Sequence, residues 1–453
     1  MGHILRFFFI LIFISCSTWD LAQTKTWREV YKVKKKDTIF GIARDHNISI
    51  PELMDANPDM KLEGYILKKD DYIYIPYVKN EKKEITSSVP EKEIKLGDDI
   101  KTRAVRIGVM LPLHNLDGDG KRMTEYYRGL LIACDSLKKE GISTNILAWN
   151  ILKETDINQM LTTDGLKNCD IIFGPLYTKQ VKPIADFCKK NNIMLVIPFS
   201  ISANDVISNP EIFQVYQIPE QFNEMALDAY FERFSNYHAI FVDCNDTTSK
   251  KGVFTYSLRK RLDTKGLKYN ITNLKSNEAY FAKAFSQTQP NIVILNTARS
   301  PELNVVLAKL DGLKVNNPSL SISMFGYTEW LMYTKVYLNY FYKYDTYIPS
   351  SFYYNALDEK TQRLENNYRH WFRTEPQYAL PRFAIMGYDH TNFFVRGLHQ
   401  EGKAFNGSRY AVKYKALQTP LHFKKISADG GSVNKNFMLI HYKHDQTIES
   451  ITY

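Results

Sequence analysis

Two short polar clusters, Asp37-Thr38 and Asn57-Pro58-Asp59, and a set of hydroxyls and aromatic rings closing apolar runs are the groups here that can grip a ligand. Groups that break bonds in recognised arrangements are missing. The sequence has no HExxH of a zinc hydrolase, no GxSxG nucleophile turn and no phosphate-cradling loop, and "GDGKRM" (118–123) lacks dinucleotide-binding spacing. His441 and His444 stand three apart in a strand-like region, which is poor geometry for a shared metal. "DGDG" (117–120) is an acidic glycine turn without the rest of a calcium loop. Cys134, Cys169, Cys188 and Cys244 lie in apolar helical or strand-like patterns and read as core thiols, and no CxxC occurs. No catalytic residue, metal or cofactor is therefore expected.

Composition narrows the class further. With 453 residues and 44% hydrophobic content, the chain can bury several cores, divided between one small unit and one large bilobed region. Lys and Arg number 59 against 49 acidic residues, a formal charge of +10. The cations are spread along the chain, and no basic, aromatic-interleaved motif or zinc-finger spacing points to nucleic acid. "FFFILIFI" (7–14), behind a basic start, has the length of a signal-peptide core and predicts export. Two cleavage sites compete within a leader over 1–22. "FISC" (13–16) resembles a bacterial lipobox and would make Cys16 the lipidated residue, while "DLAQ" (20–23) resembles an ordinary site after Ala22. The only membrane contact expected is that lipid anchor.

"KKKDTIFGIARDHNISIPELMDANP" (34–58) predicts two very short helices. Asp37 or Thr38 can cap the first, whose Ile39, Ile42 and Ala43 share a face. Ser49 and Glu52 form a capping box for the second, with Ile48 and Leu53 placed as a hydrophobic staple. "VYKV" (30–33) and "DYIYIP" (71–76) add a strand on each side, so the unit is βααβ. At this point the segment 28–77 resembles a LysM domain, matching its pattern at Tyr31, Val33, Asp37-Thr38-Ile39, Ile42-Ala43, Ser49, Leu53, Asn57-Pro58 and Ile75-Pro76. Lys36 and Asp70 stand where the family carries glycine. The resemblance implies binding of N-acetylglucosamine glycan, hence peptidoglycan. By position the groove would use Asp37, Thr38, Ile39 and Phe40 on one side and Asn57, Pro58 and Asp59 on the other.

Residues 78–103 are charged, poor in aromatics and interrupted by Pro90 and Gly97, which predicts a linker. Beyond it, nearly continuous apolar runs at 105–111, 169–175, 193–198, 239–243, 291–296 and 321–325 alternate with helical patterns. Such alternation predicts α/β architecture with two doubly wound parallel sheets. "RIGVMLPL" (106–113), "YRGLLIACDSLKKEG" (127–141), "IIFGPLYTKQVKPIADFCKKNNIMLVIPFS" (171–200) and "FAIMGYDHTNFF" (383–394) resemble the type 1 periplasmic binding-protein fold, the branched-chain amino-acid receptors in particular. That implies a first lobe over 104–216 and 350–412, a second over 217–349 and 413–453, and crossings near 216–218, 345–352 and 410–416.

Ligands of such sheets bind where strand carboxyl ends meet. The expected cleft residues are Tyr177, Thr178, Phe199, Ser200 and Ser202 from the first lobe, after Leu176. Asn296, Thr297 and Tyr327 face them from the second, with Tyr388 and Asp389 near the hinge. Tyr177 and Phe199 either stack on a sugar ring or fill a cleft without a ligand. The tyrosine-rich stretch 337–355 reads as a wet strand-and-helix surface. The expectation is a non-catalytic envelope protein that holds peptidoglycan through LysM and a small ligand or protein partner through the cleft. A solute receptor of an ABC importer and a wall hydrolase are the alternatives.

Overall fold

The computed structural model describes residues 27–35, 37–46, 48–61, 65–76, 99–200, 204–410 and 412–453. The leader with Cys16 and Ala22, most of the linker, and Ser202 of the expected cleft lie outside them. The chain divides into two compact units, Met1–Lys95 and Leu96–Tyr453.

The first unit runs β1 (Trp27–Lys32), α1 (Ile39–Asp45), α2 (Ile50–Ala56), a 3₁₀ turn (Pro58–Lys61) and β2 (Tyr72–Pro76). Helices this short need help at their ends. Thr38 caps α1 by accepting from the Gly41 amide at 2.9 Å. At α2 the box closes both ways, Glu52 N–H to Ser49 Oγ at 3.3 Å and Ser49 N–H to Glu52 Oε2 at 2.8 Å. The strands pair antiparallel with Val30 opposite Tyr74 and Lys32 opposite Tyr72. Between helices and hairpin lies a core of Val33, Ile42, Ala43, Ile48, Leu53, Met60, Ile73 and Ile75.

The second unit is α/β with two seven-stranded sheets. The first lobe holds β3 (Val105–Leu111), β4 (Thr144–Asn150), β5 (Ile171–Phe173), β6 (Met194–Ile197) and β7 (Ile212–Gln214). The second lobe follows with β8 (His238–Asp243), β9 (Tyr269–Asn273), β10 (Asn291–Leu295), β11 (Ile322–Phe325) and β12 (Thr346–Ser350). The chain then returns to the first sheet with β13 (Phe423–Lys425) and β14 (Ser432–Asn434), and ends in the second with β15 (Met438–Tyr442) and β16 (Ile448–Thr452). The strand orders are β13-β14-β7-β6-β5-β3-β4 and β16-β15-β12-β11-β10-β8-β9. Both sheets are parallel except at β13/β14, β12/β15 and β15/β16. Covering helices include α3 (Gly118–Lys139), α4 (Val181–Asn191), α5 (Pro219–Phe234), α6 (Gly252–Thr264), α7 (Ser300–Asn316), α8 (Thr334–Lys343), α9 (Glu359–Phe372) and α10 (Phe383–Glu401).

Three expectations are corrected. The stretch 413–434 belongs to the first lobe, because β14 pairs in parallel with β7 through Ser432 opposite Phe213 and Val433 opposite Gln214. The last crossing is therefore at 435–437, not 410–416. Gly431 permits that approach, since a Cβ there would stand 2.6 Å from the Ile212 carbonyl oxygen. The body also begins before residue 104. Ile100 is buried, and the Arg103 guanidinium forks onto Asp170 at 2.7 and 2.8 Å. Finally, the tyrosine-rich stretch is core rather than wet surface: Tyr337, Phe341, Tyr344, Tyr347 and Ile348 are all buried within the second lobe.

The first lobe is closed by an unusually tight crossing of α3 and α10. A Cβ on Gly387 would lie 2.0 Å from the Tyr126 carbonyl oxygen, and one on Gly129 would lie 1.8 Å from that of Ala384. Backbone cannot yield as a side-chain tip can. Gly387→Val is expected to cost about 3 kcal/mol, the upper end of the overpacking range. Gly312→Ala on α7, where no atom lies within 4 Å, should instead be neutral or stabilising by up to about 1 kcal/mol. Urea denaturation midpoints of the two variants against the parent chain measure both.

Candidate functional site

In the small unit the loop between β1 and α1 is held by Asp37. Its Oδ2 accepts from the Tyr31 hydroxyl at 2.9 Å and from the Lys34 amide at 2.7 Å. The bond to Asp37 pushes the Tyr31 hydroxyl above its usual pKa. Ile39 and Phe40 are half-buried, and Ile39 packs on the core. Thr38 is exposed, and since its Oγ accepts from Gly41, its hydroxyl hydrogen is left to donate outward.

Asn57 corrects the expectation for the opposite loop. It is 7% exposed and its amide is fully spent. Nδ2 donates to the carbonyls of Leu53 and Tyr74, both at 2.7 Å, and Oδ1 accepts from the Tyr74 amide at 2.7 Å. Asn57 is thus a clasp between α2 and β2, not a ligand contact. Pro58 and Asp59 beside it are exposed. Because Tyr31 and Tyr74 occupy neighbouring rungs of the β1/β2 ladder, the Asp37 loop and the Asn57 loop are anchored on one part of the hairpin. What they offer is an outward hydroxyl, a proline face and a carboxylate. Those groups suit the acetamido and hydroxyl groups of a sugar better than bond cleavage.

In the body, the expected cleft residues of the first lobe lie on the turns after β5 and β6. Leu176 and Tyr177 are half-buried and Thr178 is exposed, at the turn leading from β5 into α4. The Tyr177 hydroxyl donates to Asp119 Oδ2 at 3.3 Å, which ties this turn to the first turn of α3. Phe199 packs edge-on to Tyr126, with centroids 5.2 Å apart, and lies 5.9 Å from the Phe383 ring. Its ring joins α3 to the start of α10. Ser200 is buried and donates to the Leu176 carbonyl.

The second lobe does not offer the groups expected of it. Asn296 accepts from the Cys244 amide at 2.8 Å and donates to Asp243 at 3.0 Å. Thr297 is fully buried and donates to Asp246 at 2.7 Å. Hydrogen bonds from the Thr248 and Thr297 hydroxyls hold the Asp246 carboxyl down to a pKa of about 2. Tyr327 is buried, with its hydroxyl on the Leu295 carbonyl. Tyr388 faces α3, 3.4 Å from Ser136 Oγ, and Asp389 is buried beneath the segment 414–419. These five residues build the lobes and do not line an open cleft.

Sequence reading missed the charged rim that takes their place. Lys251 pairs with Glu329 at 2.8 Å and lies 4.9 Å from the Tyr327 ring centre, while Arg299 lies 3.7 Å from Asp246 and 3.6 Å from Glu302. Arg299 and Glu329 follow β10 and β11 directly, so the position alone, not any motif, was the available signal. The segment 373–382, which joins α9 to α10 on the first lobe, also touches the second. Gln377 N–H donates to Glu125 at 2.7 Å, and Lys335 on α8 sits 4.3 Å from the Tyr378 ring centre.

With this geometry in view, comparison with known proteins defines both units. Residues 31–76 match the LysM domain family. Among curated proteins none matches the chain. Among solved structures, a chain from Rhodospirillum rubrum described as a branched-chain amino acid ABC transporter is similar with a TM-score of 0.51 at 12% identity, covering 77% of this chain and all 100% of that one. LpoA from Haemophilus influenzae gives 0.49 at 14% identity, covering 77% of this chain and 59% of that one. A branched-chain amino acid ABC transporter periplasmic ligand-binding protein from Burkholderia xenovorans gives 0.46 at 12%, covering 77% and 95%. The small unit is a LysM domain and the body has the type 1 periplasmic binding-protein fold, both of them binding folds. Among the described residues no helix is long and apolar enough to cross a membrane.

The LysM turn generates a paired prediction. Asp70, where the family has glycine, holds a left-handed φ of 73°, with its amide on the Val33 carbonyl at 2.8 Å. Asp70→Gly should raise the stability of this unit by up to about 1 kcal/mol, since the left-handed region costs a side chain roughly 1–2 kcal/mol and glycine's extra chain entropy takes part of that back. Asn57→Ala should lower it by about 2–3 kcal/mol by orphaning buried backbone groups. Hydrogen exchange at the Val33 and Tyr74 amides of the full chain reports both changes.

Proposed function

We propose that this chain is a non-catalytic cell-envelope protein whose LysM domain holds peptidoglycan through its N-acetylglucosamine glycan, while the bilobed body engages a small ligand or an envelope protein partner. The observation that carries this reading is the LysM match over 31–76 together with a loop pair whose outward groups are Thr38, Pro58 and Asp59. A regulatory role in cell-wall synthesis is one form of the reading. Export, with a lipid anchor at Cys16 or cleavage after Ala22, is part of the same proposal. The importer-receptor alternative draws support from the fold of the body, but Asn296, Thr297 and Tyr327 have spent their polar atoms inside the second lobe.

Sedimentation with purified sacculi tests the anchoring role. The full chain should pellet with them and a chain lacking 31–76 should stay in the supernatant; equal retention overturns the proposal. A second measurement addresses the receptor alternative. A receptor at 100 times its Kd gains about 2.7 kcal/mol, enough to move the melting temperature by several degrees. Millimolar leucine, isoleucine or valine is expected to leave the melting temperature of the body unchanged within about 1 °C.

A further inference from the structure

The body contains a cavity of about 680 Å³ that lies apart from the cleft. In both sheets the strands at the crossings, β7 and β14 in one lobe and β12 and β15 in the other, separate the cleft-bearing strands from β13 and β16. The cavity is on the β13/β16 side. Lys360 of α9, Phe393 of α10, Arg409, Tyr410 and residues 414–421 wall it from the first lobe. Met438 of β15 and Ile448, Ser450 and Thr452 of β16 wall it from the second. The alternation of 448, 450 and 452 means that one side-chain face of β16 looks into it.

Its first-lobe wall is pre-set. Asp389 accepts from the amides of Leu417, Gln418 and Thr419 at 2.9, 2.9 and 2.8 Å and from the Tyr414 hydroxyl at 2.6 Å. The Tyr353 amide, in the crossing after β12, bonds the Gln418 carbonyl at 2.9 Å. A wall fixed before binding costs a ligand little ordering. The charge in the cavity is unbalanced. Lys360, Arg409 and Lys415 line it, and Lys360 and Lys415 make no ion pair among the described residues. The two carboxylates present are already engaged, Asp389 as described and Asp358 in capping α9 through the Lys360 and Thr361 amides at 3.0 Å each. The rings of Tyr353, Tyr410 and Tyr414 line it as well, with the Arg409 guanidinium 5.2 Å from the Tyr410 ring centre.

We propose that this cavity binds a short peptide bearing free carboxylates, and that the stem peptide of peptidoglycan is its source. The volume falls within the range of small-ligand sites, about 300–1,000 Å³. An extended peptide of about four residues, roughly 13 Å at ~3.3 Å per residue, matches the run of β16 from Ile448 to Thr452. Cations at Lys360, Arg409 and Lys415 meet its carboxylates, and the tyrosine rings cover its apolar parts. The choice of stem peptide rests on the proposed wall anchoring, which brings that polymer within reach. Because the walls come from both lobes, occupancy holds the lobes in one relative setting.

Titration calorimetry on the full chain tests this with four probes: the free stem tetrapeptide, the same peptide with its carboxylates amidated, an acidic carboxyl-terminal peptide of unrelated sequence, and the N-acetylglucosamine tetramer. The tetrapeptide carries no sugar for LysM to read. It should bind, and binding should weaken at least ten-fold on amidation and in the Lys360→Gln/Lys415→Gln double variant, whose exposed positions leave folding intact. Ser450→Trp, which fills the cavity from the opposite lobe, should abolish it. No tetrapeptide binding, or binding unchanged in both variants, overturns the proposal; equal affinity for the unrelated peptide overturns the wall source. Loss of tetramer binding with tetrapeptide binding kept would sink the anchoring reading and leave the cavity's ligand class standing.

Discussion

A single buried carboxylate organises the far side of the body. Asp389 sits on α10, fully out of solvent, and gathers three successive backbone amides and a tyrosine hydroxyl from the segment that follows. Burial pushes its pKa up, and the four donors pull against that. What the arrangement achieves is geometric. Pinned at 414–419, the chain is delivered to β13, turns back through Gly430 and Gly431, and adds β14 to the edge of β7 before crossing to the other lobe. Release of that carboxylate would free the hairpin, the last crossing and the floor of the cavity together.

The same economy governs the small unit. Asn57 and Asp37 are polar residues in loops, and in a binding module such residues invite assignment to the ligand. Both are instead consumed in holding loops to the hairpin, and the groups left for a ligand are their exposed neighbours. The second lobe repeats the pattern with Asn296, Thr297 and Tyr327. In each case the polar group nearest the backbone turn is the one the fold needs, because buried amides and carbonyls must be paired before any ligand arrives.

This explains what was legible in the sequence and what was not. Helix starts with two independent devices, as at Ser49 and Glu52 with Ile48 and Leu53, can be read directly because cap and staple are local. So can strands covered on both faces, such as β3 and β10, whose apolar runs need no partner to be recognised. Edge strands escape: β4 alternates between half-buried and exposed positions, and nothing in "TNILAWN" separates it from a loop until β3 is beside it. The hairpin over 423–434 was hidden because its pairing partner, β7, lies over 200 residues away in sequence. The tyrosines of 337–355 misled for a related reason. Their hydroxyls find partners at distance, Tyr344 on Asp311 and Tyr337 on Ser300, and so the rings can be buried. Site residues were least legible, since type and position do not say whether a polar atom is already spent.

That one chain carries two binding folds bears on how strong either need be. Residues 79–98 are charged and poor in aromatics, and Ile100 and Arg103 beyond them already belong to the body. Two sites on one chain that can meet one polymer together multiply affinity by roughly 10²–10⁴ without a new contact. A LysM surface presenting one hydroxyl, one proline and one carboxylate then need hold glycan only weakly. Under the proposed peptide binding, the same holds for the cavity.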